Sequence, residues 1–279
     1  MSPLSPTNPE EVMVIRKINQ FITTLSLPFY RFGRIRVGGR GTLVRLSSGG
    51  VAVFSPVALT PAVKQELASM GELKYIAALD IEHHIFLGPW HEAFPNAKVL
   101  GPAGLIEKRT KQNDAAVPFF KVFEPNGPTS VDADFDADFE AEFVYGHMNK
   151  ELVFLHKPSK TLIEADLMFN LPATEQFSKS GEAADQGFLT KQFIKLQNTK
   201  GDATGQKRTI WYGTSAGDRP AFNKSVARVA GWDFDKIVPC HGDVIETDAK
   251  SVFERVFGWH LDAFKKETAA AVPAATKST

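Results

Sequence analysis

The stretch Ala78-Leu79-Asp80-Ile81-Glu82-His83-His84 puts two carboxylates and two imidazoles within five positions, at the close of the apolar run Leu73–Leu79. Further along stand Gly146-His147, Glu164-Ala165-Asp166 and Pro239-Cys240-His241-Gly242, each just after a short apolar run. Carboxylate and imidazole groups are the donors a divalent cation needs, and catalytic sites leave one position open for water. Their recurrence at strand ends points to one metal site assembled from several strands. Side chains alternate along extended backbone, so Asp80 and Glu82 share a side, and His83 joins them if the chain turns. His84 then points elsewhere. Each group also has a plainer reading. The first cluster reads as a carboxylate–histidine hydrogen bond, His147 as a loop residue, Asp166 as a helix cap and His241 as a turn residue.

The elements that must position these groups follow from spacing. Asn8-Pro9-Glu10-Glu11 reads as a helix start, and Val14, Ile15, Ile18, Phe21, Ile22 and Leu25 continue it at helical spacing up to Pro28. Arg36–Leu46 and Val51–Phe54 form a hairpin around Ser47-Ser48-Gly49-Gly50. Thr60-Pro61 opens a helix that runs to Met70, and Leu73–Leu79 is a buried strand. A short helix at Trp90–Phe94, a strand at Val99-Leu100, a helix at Ala103–Lys111 and a strand at Phe119–Phe123 come next. Residues 131–143 alternate acidic and apolar, which predicts a strand with one wet face. Leu152–His156 and Thr161–Ala165 pair around Lys157-Pro158-Ser159-Lys160. Residues 170–187 read as a loop, 188–197 and 220–230 as helices, Ile237-Val238 as a strand and Asp248–Lys266 as one helix. The pattern predicts an α/β domain of two sheets covered by helices, spanning 9–267, with disordered tails at 1–8 and 268–279.

Composition narrows the class. The chain has 279 residues, 32 basic and 32 acidic, so no pull toward nucleic acid or an anionic membrane is expected. A single cysteine, Cys240, excludes an intrachain disulfide. No membrane-length apolar stretch and no signal-like start are seen, and the expectation is a cytoplasmic protein with a small-molecule substrate.

In order and context, these motifs resemble the metallo-β-lactamase-like hydrolase superfamily, in particular a fungal-type branch without assigned activity. That family carries a strand-end His-x-His-x-Asp-His, then a Gly-His, an Asp after an apolar strand, and a late Pro-Gly-His-Gly. Asp80-x-Glu82-His83 is similar to the second half of the first motif. Gly146-His147, Ala165-Asp166-Leu167-Met168-Phe169 and Pro239-Cys240-His241-Gly242 are similar to the rest. The likeness covers roughly residues 36–245 and implies an αββα sandwich. It implies metal ligands among Asp80, Glu82, His83, His147, Asp166 and His241, with Asp166 bridging. It also implies zinc, or manganese or iron in so carboxylate-rich a set, as one or two ions. The first motif is altered: Ala78, Asp80 and Glu82 stand where the family has His, His and Asp. The activity implied is hydrolysis of an ester, thioester, lactone or amide, with Asp80 or Glu82 orienting the nucleophile or moving protons. The alternatives are a degraded binder on the same fold and an oxidoreductase with non-haem iron.

Other motifs read as structural. An EF-hand from Asp132 would need Gly and Glu where Ala137 and Phe143 stand. Gly38-Gly39-Arg40-Gly41 precedes a strand and fits no phosphate loop. Gly213-Thr214-Ser215-Ala216-Gly217 has the spacing of a serine-hydrolase elbow, but Pro220 delays the helix that an elbow needs. Cys240 reads as packing in a turn, and His91, His156 and His260 as ordinary histidines.

Overall fold

The computed structural model describes residues 4–271. Seven strands run in sequence order across the first sheet: β1 (Val14–Lys17), β2 (Ile22–Leu27), β3 (Gly39–Arg45), β4 (Val51–Phe54), β5 (Leu73–Ala77), β6 (Lys98–Pro102) and β7 (Phe119–Phe123). Four more make the second: β8 (Phe139–Val144), β9 (Glu151–His156), β10 (Thr161–Ile163) and β11 (Lys236–Val238). The first half of each sheet is antiparallel and turns on short loops, except that residues 28–38 between β2 and β3 form a small hairpin of their own, Tyr30–Arg31 against Ile35–Arg36. The parallel pairs β4–β5, β5–β6, β6–β7 and β10–β11 need crossovers, and helices supply them.

The sheets face each other across a core of Ile22, Phe54, Tyr75 and Phe123 from one and Phe143, Leu152, Phe154 and Ile163 from the other. Pro61–Met70 and Leu87–Ala93 cover the outer face of the first sheet through Val63, Leu67, Leu87 and Trp90. Arg219–Ala230 and Ala249–Val256 cover the second through Phe222, Val226 and Phe253. The order is therefore helix, sheet, sheet, helix, the sandwich expected. No helix among the described residues is long and apolar enough to cross a membrane.

Three expected elements are corrected. The N-terminal helix covers only Pro9–Val12, and β1 and β2 replace the rest. The side chain of Asn19 accepts the N–H groups of Phe21 and Ile22 and turns the chain between them. All of β2 is buried, so Ile22, Leu25 and Leu27 need not alternate strictly with polar residues, and chance spacing imitates a helix. The acidic alternation also misleads. Asp132 caps Phe135 N–H, Ala133–Asp138 is a short helix, and only β8 is extended. The i,i+4 pair Phe135 and Phe139 stacks at 4.5 Å, and buried Asp138 accepts from the Ser47 amide. The last helix divides at Phe257 into Ala249–Val256 and Gly258–Ala271. Of the two expected tails, Leu4 accepts from Tyr30 N–H at 2.8 Å. The helix runs on to Ala271, while residues 1–3 and 272–279 lie outside those described.

One buried histidine gives the fold a pH dependence. His156 lies between the rings of Phe21 and Phe139, and its Nε2 has no partner. Burial pushes its pKa down to about 4. The unfolded chain binds a proton there below about 6.5. The stability is therefore fully present above that pH and drains away as pH falls toward 4. Between pH 7 and 5 this group accounts for a loss of about 2 kcal/mol. His156→Leu is expected to shrink the pH 7-to-5 drop in urea-unfolding free energy by that amount. An unchanged drop would contradict it.

Candidate metal centre

Asp80 follows β5 and is fully buried. Its Oδ1 accepts the N–H groups of Glu82 (2.8 Å) and His83 (2.7 Å), folding the chain into a tight turn. The same oxygen accepts His83 Nδ1–H at 2.9 Å. A carboxylate that already accepts two amides can only accept again, so His83 carries its proton on Nδ1 and presents a bare Nε2.

His241 arrives from the opposite side, after β11. Its Nδ1–H donates to the Gly38 carbonyl at 2.6 Å, leaving Nε2 bare as well. The loop around it is gripped from both sides. Gln176, fully buried, accepts Gly242 N–H and donates to the Cys240 carbonyl. Arg40, also buried, donates to the carbonyls of Pro239 (2.6 Å) and Gly242 (2.7 Å) and pairs with Glu175. Gly38 and Gly242 both hold positive φ, +69° and +92°.

Asp166 completes the group from the end of β10. Buried Glu151 accepts the N–H groups of Ala165 (2.6 Å) and Asp166 (3.1 Å) and fixes that backbone. Asp166 Oδ2 accepts from Asn149 at 2.6 Å, whereas Oδ1 is buried without any donor. Oδ1 lies 3.3 Å from His241 Nε2, and the two Nε2 atoms are 3.1 Å apart. Ligand atoms of His83, Asp166 and His241 all fall within 4.8 Å of one another. Two Nε2 atoms and a carboxylate oxygen from three strand ends thus converge, with both Nδ1 atoms already engaged in the outer bonds. Only a cation or an extra proton reconciles them, and the outer bonds from Asp80 and the Gly38 carbonyl orient both rings as metal-bound histidines require. Burial opposes charge on His83, but the carboxylates of Asp80 and Asp166 prevail and raise it to about 9. Burial likewise opposes charge on Asp166, yet His83 and His241 hold it below the usual carboxylate range. A metal would therefore compete with a proton for this position.

The remaining expected ligands stand outside the cluster. Asp80 touches His83 from behind. Glu82 turns outward to Lys108 at 2.5 Å, and its side chain is 53% exposed. His147 is buried, but its Nδ1 accepts Asn149 N–H (3.1 Å) and its Nε2–H donates to the Asp166 carbonyl (3.2 Å), so no lone pair is free. Burial also pushes its pKa down. Ala78 is buried and has no donor. His84 turns toward Arg109 and Asp114. Ser215 is fully buried and bonded to the Ile210 carbonyl and to His260, so it is not an accessible nucleophile.

Sequence reading missed Asn149, Glu151, Gln176 and the role of Arg40. Asn149, two residues past His147, and the glycine-rich stretch around Arg40 carried faint signals. Glu151 and Gln176 carried none, because only the fold brings them near.

A family model described as a domain of unknown function (DUF4336) matches residues 31–104. No curated protein matches. Solved structures do. The DIM-1 metallo-beta-lactamase is 13% identical with a TM-score of 0.55, covering 90% of this chain and 98% of its own. The mono-zinc form of the FIM-1 metallo-beta-lactamase from Pseudomonas aeruginosa is 12% identical with a TM-score of 0.56, covering 94% and 98%. The Flv1 flavodiiron core from Synechocystis sp. PCC6803 is 11% identical with a TM-score of 0.56, covering 89% of this chain and 60% of its own. Identities this low speak to architecture alone: the chain has the metallo-β-lactamase-like α/β fold, and the His83, Asp166 and His241 side chains at its strand ends could hold a metal ion.

Proposed function

We propose that the chain is a metal-dependent hydrolase of a small carbonyl substrate, holding one ion on His83, Asp166 and His241. The observation that carries this reading is the convergence of two bare Nε2 atoms and an orphaned carboxylate oxygen on one point. Three protein ligands leave coordination positions open, as catalytic zinc sites do. Once bound, such an ion lowers the pKa of water toward ~7 and polarises a carbonyl. Within the protein, Asp80 positions His83, and Arg40 and Gln176 position His241. Glu82 stands at the edge of the adjoining cavity, paired with Lys108. One ion fits better than two. Asn149 occupies Asp166 Oδ2, His147 has both nitrogens engaged, and Ala78 offers nothing. Zinc is the default, with manganese or iron(II) as alternatives.

The same closure of the second position supports a further reading, a fold retained for binding after loss of catalysis. Two histidines and one carboxylate also suit non-haem iron, which supports an oxidoreductase. Activity separates them. The purified protein, reloaded with zinc or manganese, is expected to hydrolyse activated esters and to lose that activity with a chelator. A protein that binds one ion but hydrolyses no ester, thioester, lactone or amide would favour the binding reading. One that turns over only with iron and oxygen would favour the oxidoreductase.

A further inference from the structure

The three converging donors sit at one end of a cavity of about 430 Å³. That size is typical of small-molecule sites. Its inner wall includes Leu27, Phe29 and Val57, and the Phe29 ring lies 6.2 Å from that of His241. Phe32, Ile85 and Met148 also line it, and they are 71%, 56% and 63% exposed. Apolar side chains therefore run from the cluster to the mouth. Most polar side chains of the lining are already engaged, with the exception of Ser55, whose Oγ is buried without a partner. Arg40 is bonded to backbone carbonyls and Glu175, Asn149 to Asp166, and Glu82 to Lys108. The guanidinium of Arg31 lies over the Phe32 ring. A ligand with hydroxyls or amides along its length would find few partners here, and buried polar groups without partners are costly.

We propose that this cavity takes a linear aliphatic acyl chain, with the acyl carbonyl at the His83–Asp166–His241 end. The substrate class is then an ester of an aliphatic acid longer than acetic acid. Water adds across the acyl–oxygen bond, releasing the acid and the alcohol. The proposal rests on the hydrolase reading for its carbonyl end, while the apolar wall stands without it.

Two arms separate these parts. In the first, acetohydroxamate, butyrohydroxamate, hexanohydroxamate and octanohydroxamate are titrated calorimetrically into zinc-loaded protein. Affinity is expected to rise about threefold to fourfold per methylene, the effect of burying one such group. Ile85→Asp and Phe32→Asp, at exposed positions that tolerate charge, are expected to flatten that rise. In the second arm, metal-free protein with labelled methionine methyls is titrated with ethanol and 1-octanol. The Met148 signal is expected to shift with octanol and not with ethanol. Hydroxamates that bind with no dependence on chain length overturn the acyl-chain proposal and spare the metal site. Failure to retain zinc removes the hydrolase reading, and the octanol titration then decides the cavity's preference. A Met148 signal indifferent to octanol overturns the proposal in that case.

Discussion

Asp166→Asn is expected to weaken zinc binding by at least ~100-fold, measured by competition with a chromophoric chelator. Loss of an outer partner of a metal ligand already costs ~10–100-fold, and Asp166 is placed to bind the ion itself. Its Oδ1 is the one buried oxygen of the cluster without a donor, which is the position an ion would satisfy. Asparagine keeps the shape, the Asn149 contact and the backbone held by Glu151, but offers a neutral carbonyl or an amide instead. The variant should therefore stay folded. Retained zinc affinity in a folded Asp166→Asn protein would remove Asp166 from the ligand set.

Gly242→Ala should have the largest effect on the fold near the site. A Cβ there would sit 2.2 Å from the Asn170 carbonyl oxygen and 2.3 Å from its carbon, in a backbone with φ of +92°. Neither neighbour can swing aside, because Asn170 N–H donates to the His241 carbonyl and Asp243 N–H to the Asn170 carbonyl. Adding the left-handed penalty of ~1–2 kcal/mol to an overpacking cost of ~1–3 kcal/mol gives a loss of roughly 2–5 kcal/mol. Urea unfolding measures it. The displaced loop also carries His241 away from His83, so zinc affinity should fall in parallel. A stability change under about 1 kcal/mol would mean that the loop is not held as described.

These two residues also show what the chain disclosed before folding. Asp166 and Gly242 stand in short motifs at strand ends, where chemistry-bearing side chains are expected, and a local pattern suffices to find them. The two-sheet architecture was likewise legible, because β4 and β5 are compact apolar runs bounded by turn residues. The N-terminal strands were not. Val14 to Leu25 supports both periods, and partners β2 and β3, which decide between them, come from the folded sheet. The acidic row from Asp132 failed for a related reason. Its carboxylates cap a helix, pair with lysines or bond Ser47, and alternation alone does not distinguish those fates from a wet strand face. Within the site, Asp80 and Glu82 looked equivalent on paper. The turn that Asp80 makes with its own backbone sends Glu82 outward to Lys108 and His83 inward. Tautomers and occupied lone pairs, which set His147 apart from His83 and His241, are properties of partners and are invisible in one dimension.

The most direct test of the metal centre is the metal content of the purified chain, by plasma mass spectrometry, before and after reloading with zinc. One ion per chain is predicted, reduced to none in His83→Ala and His241→Ala. A chain that takes up no ion at neutral pH, or an ion that survives both substitutions, would contradict a site built on His83, Asp166 and His241.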